Sequence, residues 1–253
     1  MKFPLMMKSK AALIAIGLLI SSFCLSSPVL ALDANDKTEV ETIIREYLLK
    51  NPEIIIEVQQ ALEAKQKLEV ANAQKRTLSD KQDLIFNSEY QLEIGNPDAP
   101  ITVVEFFDYN CGFCQRAMAD MNRFIENDKN VRFVLKEFPV LGEASVEAHR
   151  VSIAFSKLMP EKVKDFHIEL LGKRGRKNGA TAMELAISYG VDEAVLSAEM
   201  DKPYIVAAMR EVYELADGLG VTGTPSYIIG DEVIFGAVGY DQLKSKIDKL
   251  RTN

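Results

Sequence analysis

Three regimes of hydrophobic spacing follow one another along the chain. Ala11 to Ile20 is an unbroken apolar run, short of the ~20 residues that a membrane span needs. Val40, Ile43, Ile44, Tyr47 and Leu48 then recur at helical spacing and predict an amphipathic helix of about three turns. Asn51-Pro52 interrupts it, and because asparagine suits a helix cap and proline a first helical position, a second helix is predicted to start there. That helix runs through Ile55, Val58 and Leu62, with no glycine or further proline up to Asn87. Beyond Leu62 its apolar stripe thins, with Ala64, Leu68, Val70, Ala71 and Ala73 set among lysine, glutamine and glutamate. A stripe that one short segment cannot cover needs another surface. Either the domain that follows or a second copy of the chain would supply it, and the heptad pattern is too short to fix how many copies.

From Tyr90 the spacing becomes that of strands. Tyr90 to Ile94 alternates, and Gly95-Asn-Pro-Asp-Ala-Pro100 is a dense turn signal. Ile101 to Phe107 reads as a buried strand, Gln115 to Ile125 as a helix and Val131 to Phe138 as a third strand. Strand, helix, strand is the crossover that a parallel pair requires. Residues 143–217 read as helical almost throughout, broken by Pro160, the basic loop from Gly172 to Gly179, and Gly190. Thr181 with Glu184 forms a capping box there, and Asp192 caps the helix after it. Ser226 to Ile229 and Glu232 to Phe235, joined by Gly230-Asp231, predict an antiparallel hairpin, and Tyr240 to Leu250 a last helix. The elements amount to an α/β fold whose β-α-β and β-β-α halves are separated by a helical block.

Composition changes the setting. Lys2, Lys8 and Lys10 precede the first apolar run and Val29-Leu30-Ala31 follows it, so residues 1–31 read as a secretory signal cleaved after Ala31. Cys24 follows Phe23, where a lipid-attachment site expects a small residue, and leaves with the signal. Losing three lysines takes the formal charge from −7 to about −10, which argues against nucleic acid as a partner. With 47% apolar residues, the remainder can bury the core of one domain plus an appendage.

Cys111-Gly112-Phe113-Cys114 carries the chemistry. It follows a strand and opens a helix, so the first sulfur lies at a helix N-terminus, where free amides and the dipole stabilise a thiolate. Cys114 sits one turn on, within reach to close a disulfide on Cys111 or to resolve a mixed disulfide formed there. As a structural crosslink the pair would do little, since so small a loop removes little unfolded-state entropy. Zinc wants four ligands, and outside the leader only His149 and His167 could join, neither near the pair in sequence. Both histidines read as packed or solvated, and the cations of the basic loop as a solvated turn. A soft thiolate pair also suits Cu(I), so a copper-sequestering binding protein stands as the alternative of another class.

The Cys-x-x-Cys after a strand, the helical insertion and Thr224-Pro225 before a hairpin resemble, over residues 89–253, the thioredoxin superfamily and within it the DsbA group of bacterial periplasmic thiol-disulfide oxidoreductases. The N-terminal helices, with Tyr47-Leu-Leu-Lys-Asn-Pro-Glu53, are similar to the ScsC-like branch, some of whose members oligomerise and act as disulfide isomerases. The resemblance implies a thioredoxin-like fold with a helical insertion at about 143–217, preceded by a helical oligomerisation region and linker at 32–88. It implies that Thr224-Pro225 is a cis pair whose backbone meets an extended substrate strand. It implies too that Glu105 and Lys136 form a charged pair under the cysteines, with the acid relaying the proton of the second thiol. Gly112-Phe113 departs from the Pro-His of the strongest oxidases, which implies a less oxidising couple. No metal and no cofactor beyond the Cys111–Cys114 pair is expected.

These features predict a periplasmic enzyme that makes or reshuffles disulfides in exported cysteine-containing proteins and is recharged by a membrane redox partner. Isomerisation is favoured over a monomeric DsbA-like oxidase. The reason is an expected homo-oligomer, a dimer or trimer assembled through residues 37–62, with the glycine-free segment Glu63–Asn87 holding catalytic domains apart around a shared cleft.

Overall fold

The computed structural model describes residues 33–252. The leader, its cleavage site and Cys24 lie outside the described residues. The described residues form two compact units that divide between Gln60 and Ala61.

The first unit holds α1 (Ala34–Lys50) and the start of α2 (Glu53–Asp80). α1 is longer than its apolar spacing predicts because Asp33 caps it, accepting from Asn35 N at 2.7 Å and Asp36 N at 2.9 Å, while the Asp36 carboxylate accepts from Asp33 N. This capping box recruits a polar turn that carries no hydrophobic signal. Asn51 closes α1 instead of opening α2: its backbone N–H and its Nδ2 both donate to Tyr47 O, at 2.9 and 2.8 Å. None of this unit's described side chains is buried, and Ile43, Tyr47 and Leu49 are 57%, 58% and 72% exposed.

The second unit contains the rest of α2, then α3 (Gln82–Phe86), β1 (Leu92–Gly95), β2 (Ile101–Phe107), α4 (Gly112–Asn127) and β3 (Val131–Glu137). The helical insertion follows as α5 (Glu143–Leu158), α6 (Val163–Gly172), α7 (Gly179–Ser188), α8 (Glu193–Met200) and α9 (Pro203–Leu219). The chain ends in β4 (Ser226–Ile229), β5 (Glu232–Phe235) and α10 (Tyr240–Thr252). The sheet order is β1-β3-β2-β4-β5, with β2 and β3 parallel and the other neighbours antiparallel. This is a DsbA-like thioredoxin fold preceded by a helical region. In the insertion, Asn178 rather than Thr181 caps α7, accepting from Thr181 N at 3.0 Å, and Asp192 caps α8 by accepting from Val195 N at 3.0 Å.

Side chains alternate across the sheet, so the central strands β2, β3 and β4 serve two cores. Val103, Phe107, Phe133 and Leu135 pack with Met121 and Phe124 of α4 and Leu243 of α10 on one face. Val104, Phe106 and Val134 pack with Leu78, Ile85, Val212 and Leu219 on the other. Leu78 draws the end of α2 into that second core. Thr77 Oγ1 donates to Gly218 O and Gln74 Nε2 to Leu219 O, both at 2.9 Å, closing the last carbonyls of α9. Gly220, at φ 66°, makes the left-handed turn that ends α9 beside them. The segment 63–87 is therefore not a free spacer, because it lies wholly within the second unit and its helix breaks at Lys81.

Candidate active site

β2 ends in a loop that brings Cys111 to the N-cap of α4, one turn before Cys114. Both sulfurs are buried, Cys111 with 7% of its surface exposed and Cys114 with none, and both are free thiols. The Thr224–Pro225 peptide bond is cis, and it sets the Thr224 carbonyl oxygen 3.2 Å from Cys111 Sγ, within reach of the thiol proton.

The two thiols have opposite electrostatics. A hydrogen bond from Cys114 lowers the Cys111 pKa to about 5 against the opposing effect of burial, with further help from the Thr224 side chain and the backbone amides of Cys114 and Phe113. The same bond pushes the Cys114 thiol far above its ordinary range, and burial and the charge of Glu105 add to the rise. Cys111 is thus a thiolate at neutral pH and Cys114 holds its proton. Between them, Gly112 has open space where a side chain would stand, so no steric demand explains glycine there. Phe113 is 57% exposed, with the Arg116 guanidinium 4.2 Å from its ring centroid.

Glu105 and Lys136 do not meet. Glu105 lies opposite Leu135 on β3 and Tyr227 on β4, which places it on the α4 face beneath the cysteines. There burial above all, with the charges of Cys111 and Asp120, raises its pKa to about 8. Lys136 lies opposite Phe106, so its side chain leaves from the other face. It donates to Leu84 O at 2.5 Å and Gln91 Oε1 at 2.9 Å, and burial lowers its pKa to about 8. The charged pair expected under the cysteines is an acid alone.

Sequence reasoning missed the polar groups that hold the loop. The buried Asp108 carboxylate accepts from Asn110 N at 2.7 Å, Val140 N at 2.8 Å, Leu141 N at 3.0 Å and Ser145 Oγ at 2.8 Å. Asn110 then ties the residue before Cys111 to the insertion, its Nδ2 donating to Lys177 O at 2.8 Å and its Oδ1 accepting from Lys177 N at 2.8 Å. Lys177 is consequently buried although its loop reads as solvated. Tyr109 is gripped at both ends. Its N–H donates to His149 Nε2 at 3.3 Å and its hydroxyl lies 2.8 Å from Ser152 Oγ, while His149 Nδ1 and Ser152 Oγ both bind Glu137, at 2.8 and 2.7 Å. Because Nε2 accepts, the proton of His149 sits on Nδ1 facing the carboxylate. His167 packs edge-on against Phe107 and tilted against Tyr109, and burial lowers its pKa to about 3. The pattern Asp-Tyr-Asn just before the first cysteine was the one available signal.

Residues 102–248 match the family of DSBA-like thioredoxin domains, and residues 36–69 match the copper resistance protein ScsC N-terminal domain. A thioredoxin-like oxidoreductase from Silicibacter pomeroyi is 37% identical, covering 68% of this chain and 98% of its own, with a TM-score of 0.64. A linker-deletion mutant of Proteus mirabilis ScsC is 27% identical over 88% of this chain and 98% of its own, with a TM-score of 0.65. Disulfide bond formation protein D of Bacillus subtilis is 26% identical over 62% of this chain and 75% of its own.

Proposed function

We propose, from the premise that this chain belongs to the DSBA-like thioredoxin domain family and is an oxidoreductase, that it is a periplasmic protein-disulfide isomerase acting as a homo-oligomer. The observation that carries the chemistry is the split between a Cys111 thiolate at about 5 and a protonated Cys114 beside a cis proline. The Cys111 thiolate attacks a substrate disulfide, forming a Cys111–substrate bond and releasing the other substrate sulfur as a thiolate. In one exit that thiolate attacks another disulfide of the substrate, and the sulfur it displaces attacks the substrate sulfur held by Cys111, forming the new disulfide and releasing the Cys111 thiolate. In the other, Cys114 loses its proton and attacks Cys111, forming the Cys111–Cys114 disulfide and freeing the substrate thiol. Glu105 has a role in this second exit. Cys111 loses its negative charge in the mixed disulfide, and with it goes one of the causes that hold the carboxyl up near 8. The carboxylate becomes accessible when Cys114 must give up its proton.

Isomerisation and oligomerisation are read from the first unit. Its apolar residues Val40, Ile43, Ile44, Tyr47, Ile55 and Val58 are exposed and fall within the ScsC N-terminal match, and several active sites on one assembly raise the effective concentration at a misfolded substrate. Among the described residues no helix is long and apolar enough to cross a membrane, and exported cysteine-containing proteins are the substrates, with recharging by a membrane redox partner. The test pairs light scattering with refolding of scrambled ribonuclease, on the mature chain and on Ile44→Lys. The mature chain should scatter as a dimer or trimer and restore ribonuclease activity, and Ile44→Lys should lose both. A monomeric mature chain would leave a DsbA-like oxidase instead, while tight copper binding by the reduced pair without disulfide exchange would point to sequestration.

A further inference from the structure

Phe235 ends β5 opposite Ser226, the residue that follows the cis proline, and Gly236 N donates to Pro225 O at 2.9 Å. Ser226 in turn lies opposite Phe106, so Phe235 stands on the sheet face that α2 covers. It is 51% exposed. With Gln66, Lys67, Val70, Ala71 and Gln74 of α2 it lines an open groove of about 450 Å³. The floor is apolar, from Val70, Ala71 and Phe235, and the rim is polar. The α2 wall is fixed to the unit by the hydrogen bonds from Gln74 and Thr77 to the end of α9. β5 is the outermost strand, paired within the sheet only to β4, and a groove beside a free strand edge is a geometry that takes an extended peptide.

We propose that this groove is a subsite for the substrate polypeptide, in which an extended unfolded segment passes the cis proline and seats a large apolar side chain on Phe235, Val70 and Ala71. The inference rests on the exchange reaction proposed above. A substrate segment is the occupant because the groove begins next to Pro225. Substrate backbone has to lie there for its sulfur to reach Cys111, whose Sγ is 3.2 Å from Thr224 O. Non-native proteins expose such side chains beside their cysteines, and native ones bury them, so the subsite selects for misfolded substrates.

The test traps the complex. In the full mature chain carrying Cys114→Ala, Cys111 attacks a peptide whose cysteine is disulfide-bonded to thionitrobenzoate; the peptide sulfur joins Cys111 and the coloured thionitrobenzoate anion leaves. A benzophenone residue two to four positions from the peptide cysteine is then photoactivated and the adduct mapped by mass spectrometry. Adducts between Gln66 and Gln74 or at Phe235 are expected. Adducts confined to Phe113 and Arg116 would overturn the subsite but leave the exchange reaction standing, whereas no release of thionitrobenzoate would overturn both. Groove adducts that appear only after the assembly is dissociated by dilution would mean that a second copy fills it, and would also overturn the proposal. In kinetics, kcat/KM for a peptide with leucine near its cysteine should exceed that for the serine counterpart by about tenfold. That ratio should fall to about one in Phe235→Ser, and an unchanged ratio would refute the assignment.

Discussion

Replacing Cys114 by alanine isolates the largest cause of the low Cys111 pKa. The structure attributes the value of about 5 first to the hydrogen bond from the Cys114 thiol. A hydrogen bond to a charged group is worth roughly 1.5–3 kcal/mol, and one pKa unit corresponds to about 1.36 kcal/mol, so Cys114→Ala should raise Cys111 by about one to two units. At pH 6 the wild-type thiol would be about nine-tenths ionised, and the variant between about one-half and one-tenth. At pH 9 the two should match. The assay is thiolate absorbance at 240 nm from pH 4 to 9, with iodoacetamide labelling rates as a second readout. Cys114→Ser keeps a hydroxyl donor and should fall between the two. A midpoint near 5 in both variants would show that the α4 amides and Thr224 hold the thiolate unaided, and a wild-type midpoint near the ordinary thiol value would refute the electrostatic account of the site.

Because the Cys111 pKa is depressed in the fold, its contribution to the stability of the reduced protein is complete above the ordinary thiol pKa and is lost as pH falls through about 5. Calorimetry should therefore show the melting temperature of the reduced form falling relative to the disulfide form between pH 7 and 4; a constant difference would contradict the shift. Glu105→Gln should leave formation of the mixed disulfide intact and slow its resolution by Cys114 by about 10²-fold, read by acid quench; equal resolution rates would remove Glu105 from the relay. Lys136→Met leaves Leu84 O and Gln91 without their donor and should cost ~1–3 kcal/mol in urea denaturation with the Cys111 titration unmoved. A moved titration would return Lys136 to the cysteines.

What was legible in the sequence was local. Cys111 follows a seven-residue apolar strand and opens a helix, so its N-cap position followed from neighbours in the chain. The face that a strand residue occupies was not local. Glu105 and Lys136 each look like a charge in an apolar run, and only the register Glu105↔Leu135 puts them on opposite faces. α2 shows the same limit: absence of glycine predicted one long helix, but the break at Lys81 comes from Leu78 and Ile85 entering a shared core, which no spacing within the segment reveals. Asp108 and His149 were invisible as supports because their distant partners lie 32 to 37 and 12 to 40 residues away.

The Asp108 carboxylate has a consequence for how the enzyme comes into being. The loop that presents Cys111 is held by Val140, Leu141 and Ser145, by the Lys177 backbone through Asn110, and by Thr224 from the far end of the chain. A chain emerging N-terminus first exposes Cys111 and Cys114 long before those segments arrive, and in that interval they are ordinary thiols, mostly protonated at neutral pH. Reactivity builds as α4 forms and brings Cys114 and its amides onto Cys111, and is complete only when the hairpin adds Thr224. The half-made protein is therefore a poor thiol nucleophile toward its neighbours, and its redox chemistry is a late product of its own folding.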